Sequence, residues 1–442
     1  MNNLFSPPSA RNLRIHLLCI FGFFAVLIGA TCASAADQST LARRTAPPDL
    51  SPEIRGRAQQ LLRLGVSQWH RAGYLGRGMK VAVLDSGFRG YREQLGKALP
   101  SRVVTHSFRR DGNLEAKDSQ HGILCGEVVH ALAPEAELLF ANWEPDESEQ
   151  FLQAARWARQ QGARLISCSI IMPNWSDGEG GGSVHAALGR IFGDGTHAGD
   201  MLCFASAGNI AQRHWSGSYR AGDDGFQDWR SGHTGNVLTP WGDERASAEL
   251  YWQPGADYDL FLYDRDSGRE VGRSLARAGV ERSSALIHVE HPWGHSYEVR
   301  VRQTRGPAST FHLVSLNADL QYATSPSSVC FPADGPEVIG VGAVDRAGHR
   351  QSYSACGPNS KTPKPDLVAP VPFASSWRSR SFGGTSAAAP QAAALAALCW
   401  SRHPDWTAAH VRQAMQAAAV DLNTPGPDAE TGYGLLHVPA DK

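Results

Sequence analysis

Met79-Lys80-Val81-Ala82-Val83-Leu84-Asp85-Ser86-Gly87 joins an apolar run, interrupted by Lys80 near its start, to a single acid and then to a turn. A strand that is apolar on both sides needs cover on both sides, which is the habit of parallel sheets. Runs of the same kind recur over residues 136–141, 163–171 and 199–205, and helical stretches such as 122–131 and 149–161 lie between them. This alternation predicts an α/β fold, a parallel sheet with helices on both faces. Near the end, residues 386–401 are Ala-rich and apolar throughout and read as a buried helix, and 408–419 read as an amphipathic one.

The texture changes between 211 and 321. There Tyr258, Leu260 and Leu262 alternate with Asp259, Phe261 and Tyr263, and Tyr297, Val299 and Val301 alternate with Glu298, Arg300 and Arg302. Period two is the signature of a half-buried strand, and turn signals such as Asp266-Ser267-Gly268 separate the runs. The expectation is an all-β sandwich inserted into the α/β domain. His288, His291 and His295 share a Pro- and Gly-containing turn and are read as turn residues, not as metal ligands.

At the N-terminus, Arg11, Arg14 and His16 precede an apolar run from Leu17 to Ile28, and Ala33-Ser34-Ala35 offers a small-residue cleavage site. These are the parts of a secretory signal, and the run is short for a membrane span. The expected organisation is a signal over 1–35, a linker or short pro-segment over 36–59, an α/β domain over 60–210 and 322–442, and the insert over 211–321. A secreted or periplasmic protein follows, with no membrane contact beyond the export signal. The net charge of −1 gives no reason to expect a nucleic-acid partner. Cys125, Cys168, Cys203, Cys330, Cys356 and Cys399 lie beyond the signal. Most sit in apolar contexts that suit a small core residue, so at most one disulfide is expected.

A serine nucleophile needs a base within hydrogen-bond reach, an acid to orient the base, and donors for the developing oxyanion. Asp85 closes the first strand, and ligand sites in open α/β sheets lie beyond that end of the strands. His121 stands before Gly122 at the mouth of an apolar helix, and Ser386 opens the buried helix in Gly383-Gly384-Thr385-Ser386. The Ser386 N–H is therefore free at a helix N-terminus, where an oxyanion is favoured.

Singly these are common turn and cap sequences, but their order and flanks resemble the subtilisin-like serine proteases. The matching stretches are Lys80 to Gly87, Asp118-Ser119-Gln120-His121-Gly122, Ala205-Ser206-Ala207-Gly208-Asn209, Lys364-Pro365-Asp366-Leu367-Val368-Ala369-Pro370 and Gly384-Thr385-Ser386-Ala387-Ala388-Ala389-Pro390. The resemblance implies that Asp85 orients the base, that His121 is general base and then general acid, and that Ser386 attacks the scissile carbonyl. It implies an oxyanion hole built from the Asn209 amide and the Ser386 N–H. Substrate pairing is expected at Ser169-Ile170-Ile171 and Ser206-Ala207-Gly208, with Cys330 either at the floor of the specificity pocket or turned into the core. The implied activity is hydrolysis of internal peptide bonds through an acyl-enzyme, on protein or peptide substrates, with no cofactor and no metal.

Four departures qualify the resemblance. The loop that holds calcium in many members is missing where Gly126 to Pro134 runs straight from helix to strand, and little chain is left for a folded pro-segment. Ile171 replaces a usual Gly on the substrate strand, and Ala387 follows the nucleophile where Met is common. An α/β-hydrolase esterase would need Gly-x-Ser-x-Gly and the order Ser, Asp, His, and the chain has neither. The remaining alternative is a catalytically silent binding protein that acts through the inserted sandwich. The sequence leaves the oligomeric state open.

Overall fold

A computed structural model of the chain describes residues 52–116, 119–242, 244–277, 280, 282–290, 293–359 and 362–440. The expected signal over 1–35 lies outside these residues, as do Asp118 and His291.

The helices are α1 (Pro52–Arg63), α2 (Val66–Arg71), α3 (Tyr91–Gln94), α4 (His121–Leu132), α5 (Ser148–Gln160), α6 (Ser183–Phe192), α7 (Thr385–Arg402) and α8 (Ala408–Ala418). The first five strands are β1 (Lys80–Leu84), β2 (Val103–Ser107), β3 (Glu137–Asn142), β4 (Leu165–Cys168) and β5 (Leu202–Ser206), and β15 (Val338–Val344) and β16 (Leu367–Pro370) follow much later. These seven form one sheet in the order β16-β15-β5-β4-β1-β3-β2, with every pairing parallel. The side chains of β1 explain the two layers. Val81 and Val83 enter a core shared with α4 and α7, while Ala82 and Leu84 enter one shared with α5 and α6. Helices therefore cover both faces of the parallel sheet.

Close packing decides the composition of α4 and α7. Ala387, Ala388, Ala389, Ala392, Ala393 and Ala394 are fully buried. A Cβ on Gly122 would fall 2.3 Å from the Phe88 ring, and one on Gly126 would fall 2.8 Å from Phe140. Small residues let the two helices reach the sheet at van der Waals distance. After α4 the chain turns at Ala133 and enters β3 at Glu137.

Between β5 and β15 lie β6 (His214–Ser218), β7 (Asn236–Pro240), β8 (Ala246–Trp252), β9 (Asp257–Asp264), β10 (Glu270–Ser274), β11 (Ser284–Val289), β12 (Tyr297–Arg305), β13 (Thr310–Leu316) and β14 (Ala318–Leu320). They build two antiparallel sheets, β10-β9-β12-β7-β14 and β11-β8-β13-β6. Tyr258, Leu260, Leu262, Val299 and Val301 pack between the sheets as the alternation predicts, against Leu250, Trp252 and Phe311 of the second sheet. The chain enters and leaves this sandwich side by side: the Thr324 N–H donates to His214 O at 2.6 Å, and Ser325 Oγ to Ala211 O at 2.9 Å.

The central strands of the second sheet, β8 and β13, are buried on both faces. Tyr251 and Val314, on the sheet's outer face, join the α/β core with Met172, Cys330 and Phe331. The sandwich is thus packed into the α/β unit and is not a tethered appendage. The six cysteines of the described residues are free and buried, and among those residues no helix is long and apolar enough to cross a membrane.

Candidate active site

Four chain segments meet above the C-terminal ends of β1, β4 and β5. Asp85 follows β1, is fully buried, and anchors its own turn by accepting the Ser86 N–H at 2.8 Å. His121 begins α4 and points Nδ1 at both Asp85 oxygens, at 2.9 and 2.8 Å. Its ring also packs edge-on against Phe382, with centroids 5.4 Å apart. Burial disfavours the imidazolium, but the neighbouring Asp85 carboxylate outweighs it, and the His121 pKa is raised well above the ordinary histidine value. An Nδ1–H held by a carboxylate leaves Nε2 as the basic nitrogen, the tautomer a general base requires.

Ser386 sits in the first turn of α7, and Pro390, four residues on, has a structural consequence there. Proline has no N–H, so the intrahelical bond that would end on Ser386 O is missing. Two side chains take its place. Ser169 Oγ donates to Ser386 O at 3.0 Å, and Cys125 Sγ approaches the same oxygen at 3.8 Å. The nucleophile's backbone is thereby tied to the end of β4 and to α4. The Ser386 hydroxyl itself donates to Ser169 O at 3.4 Å. In this rotamer it makes no hydrogen bond to His121.

Asn209 is oriented by Thr385, whose N–H and hydroxyl donate to Asn209 Oδ1 at 2.9 and 3.0 Å. The Thr385 hydroxyl accepts the Gly208 N–H in turn, at 3.3 Å. With Oδ1 engaged, Nδ2 is the outward donor. It lies so close to the backbone that a Cβ on Gly384 would be 2.8 Å from it, and Gly384 has φ +76°. Only glycine satisfies both demands.

The residues expected to pair with substrate divide. Ile170 and Ile171 are partly exposed and, with Met172, line a cavity of about 270 Å³ whose opposite wall is Arg245, Ser247 and Glu249 of the sandwich. Ser206, Ala207 and Gly208 are buried, and part of their backbone is committed: the Ala207 N–H donates to Val341 O, and Gly208 O accepts the Ala355 N–H. Cys330 is completely buried beside Phe331 and Ala333 in a hydrophobic cluster. A further cavity of about 490 Å³ lies past Asn209 and Gly384, lined by Arg213, Trp241 and Asp319.

Cys125 and the sandwich contacts escaped the sequence reading. Cys125 stands one helical turn after His121, with Sγ 3.5 Å from Asp85 Oδ2; its spacing of four from the histidine was the available signal. Of the three histidines read as turn residues, His288 lies in β11 and faces Asp146 at 3.6 Å, and His295 faces Asp264 at 3.5 Å.

A sequence model described as the subtilase family matches residues 76–238 and 310–434. Subtilisin from Bacillus pumilus is 39% identical over 120 residues, covering 26% of this chain and 41% of that protein. The subtilisin-like protease PopC of Myxococcus xanthus is 37% identical over 121 residues, 25% of each chain. The chain thus spans well under half the length of these relatives. Among solved structures, the Clostridium perfringens CspB protease superposes with a TM-score of 0.61 over 86% of this chain and 97% of its own, at 14% identity, and shares the fold.

Proposed function

The chain belongs to the subtilase family, and from that premise we propose that it is an exported serine endopeptidase, secreted or periplasmic, acting on protein or peptide substrates through an Asp85-His121-Ser386 triad. The observation that carries this reading is the paired contact of His121 Nδ1 with both oxygens of the buried Asp85 carboxylate, beside a serine at a helix N-terminus.

In the proposed mechanism His121 Nε2 takes the Ser386 proton as Oγ attacks the scissile carbonyl carbon. The imidazolium so formed is stabilised by Asp85, the same interaction that raises the His121 pKa at rest. Charge moves onto the carbonyl oxygen, where Asn209 Nδ2 and the Ser386 N–H can donate. The oxyanion then collapses, His121 passes its proton to the leaving amine, and an acyl-Ser386 ester remains. Water, deprotonated by His121, attacks that ester and restores the serine. The Ser169 and Cys125 contacts to Ser386 O hold the nucleophile's backbone through both halves of the cycle.

The sandwich, in this reading, frames the cleft on both flanks and restricts which segments of a protein reach it. Ser386→Ala should abolish peptidase activity while leaving the fold intact. Undiminished casein hydrolysis by this variant would contradict the assignment.

A further inference from the structure

The period-two register of β8 sends Ala246, Ala248, Leu250 and Trp252 into the sandwich core. Ser247, Glu249 and Tyr251 consequently face the α/β domain. Glu249 is only 5% exposed. Its carboxylate accepts Ser247 Oγ at 3.0 Å and the Asn174 N–H at 3.4 Å. Both donors are neutral, and among the described residues Glu249 has no ion-pair partner. Arg245, the nearby cation in the same cavity lining, is engaged by Asp146 at 3.3 Å.

A buried carboxylate with no cation is costly, and burial pushes the Glu249 pKa up to about 7. A second polar group in the same wall is unsatisfied: His288 Nδ1 is buried with no hydrogen-bond partner. Both residues line the cavity of about 270 Å³, whose far wall is Ile170, Ile171 and Met172. Those three residues follow Ser169, which touches Ser386 directly. The cavity therefore opens on the path that an extended peptide takes away from the nucleophile. Trp143 and Leu316 add apolar surface and Glu244 adds negative charge, while Asp146 and Arg245, also in the lining, are paired with each other. Apolar side chains beside the buried Glu249 carboxylate suit a long aliphatic stem with a cationic tip.

We infer that this cavity is a specificity subsite for a lysine or arginine side chain of the peptide substrate, with Glu249 as its counter-charge. The inference rests on the protease reading above and extends it to substrate class. Glu249 acts here as a specificity determinant, remote from the reacting atoms.

The test is cleavage of a peptide library by the full chain, read by mass spectrometry, with Ser386→Ala as the blank. Lysine or arginine should be enriched at one fixed position on one side of the scissile bond. For a peptide carrying lysine there, Glu249→Gln should lower kcat/KM on the order of 10- to 100-fold, the range for a lost charged hydrogen bond. The acetyl-lysine version of the same peptide should lose a similar factor with the unaltered enzyme, a comparison that leaves the fold untouched. The acetylated peptide should then be nearly indifferent to Glu249→Gln. Cleavage without basic preference at any position would overturn the inference and leave the protease reading standing, as would equal losses on both peptides. Absence of all cleavage together with absence of serine labelling would defeat the protease reading, and the inference with it.

Discussion

Asn209→Leu keeps the bulk of the side chain and removes its amide. Because Thr385 occupies Oδ1 through two hydrogen bonds of 2.9 and 3.0 Å, the lost group of catalytic consequence is Nδ2, one of two donors to the oxyanion. In subtilisin itself, loss of one such donor costs about 2.7–4 kcal/mol, a kcat reduction of about 10²- to 10³-fold, and we carry that magnitude over from the relative. The effect should fall on kcat, with KM little changed, because the bond is made fully only in the transition state. Leucine also leaves the Thr385 N–H without its acceptor at a fully buried residue, so stability should fall by about 1–3 kcal/mol. Thr385→Val is the companion variant. It removes one of the two anchors and keeps the other, a loss of about 0.5–1.5 kcal/mol, and so should reduce kcat by less than tenfold. Steady-state kinetics on a chromogenic peptide, normalised by active-site titration, separates the cases. A raised KM with kcat preserved in Asn209→Leu would refute the oxyanion role, and a Thr385→Val loss as large as that of Asn209→Leu would refute the division of labour between the two amide atoms.

Other predictions concern stability and pH. Glu127, buried in the helix that carries His121, accepts from Arg57, Ser375 Oγ, Ser376 N and Trp377 Nε1; Glu127→Gln should destabilise the fold by about 3–5 kcal/mol, measured by urea denaturation. His185 lies between Asp334 at 2.9 Å and Glu337 at 2.6 Å. Burial opposes its charge, but the two acids prevail and its pKa is pushed up to about 9. Its stabilisation is therefore full below pH 6.5, the unfolded value, and is lost as pH rises towards 9; His185→Gln should flatten that loss in denaturant midpoints taken across the range. At the other end, burial pushes His214 down to about 3 and His312 down to about 4, so stability should fall as pH drops from 6.5 towards those values. For activity, the raised His121 pKa should place the acid limb of kcat/KM above pH 6.5, and a midpoint at or below that value would contradict the Asp85 contact as its cause.

The parallel sheet was legible because its strands are apolar on both sides and regularly separated by helices. The expected strand over 163–171 overran the observed Leu165–Cys168 for a physical reason: the apolar run continues past the last ladder pair, and Ile170 and Ile171 line the cleft instead. Asp85, His121, Ser386 and Asn209 could be singled out because each sits at a strand end or helix start with a recognisable flank. Their mutual geometry, including the role of Pro390 in freeing Ser386 O, needed the packed helices. Glu249 could not be singled out. Alternation along β8 separates two faces, but both are buried, and nothing in the period tells which face meets the α/β domain. Cys125 was hidden similarly, since a small residue on an apolar helix reads as core until the position of Asp85 is known.

The central claim is that Ser386 is a live nucleophile driven by His121 and Asp85. Labelling with a serine-directed phosphonate, followed by peptide mapping, tests it most directly. The account predicts one phosphonylated residue, Ser386, with labelling lost in Ser386→Ala and strongly slowed in His121→Ala. A folded protein that takes up no label, or one labelled at another serine, would contradict it.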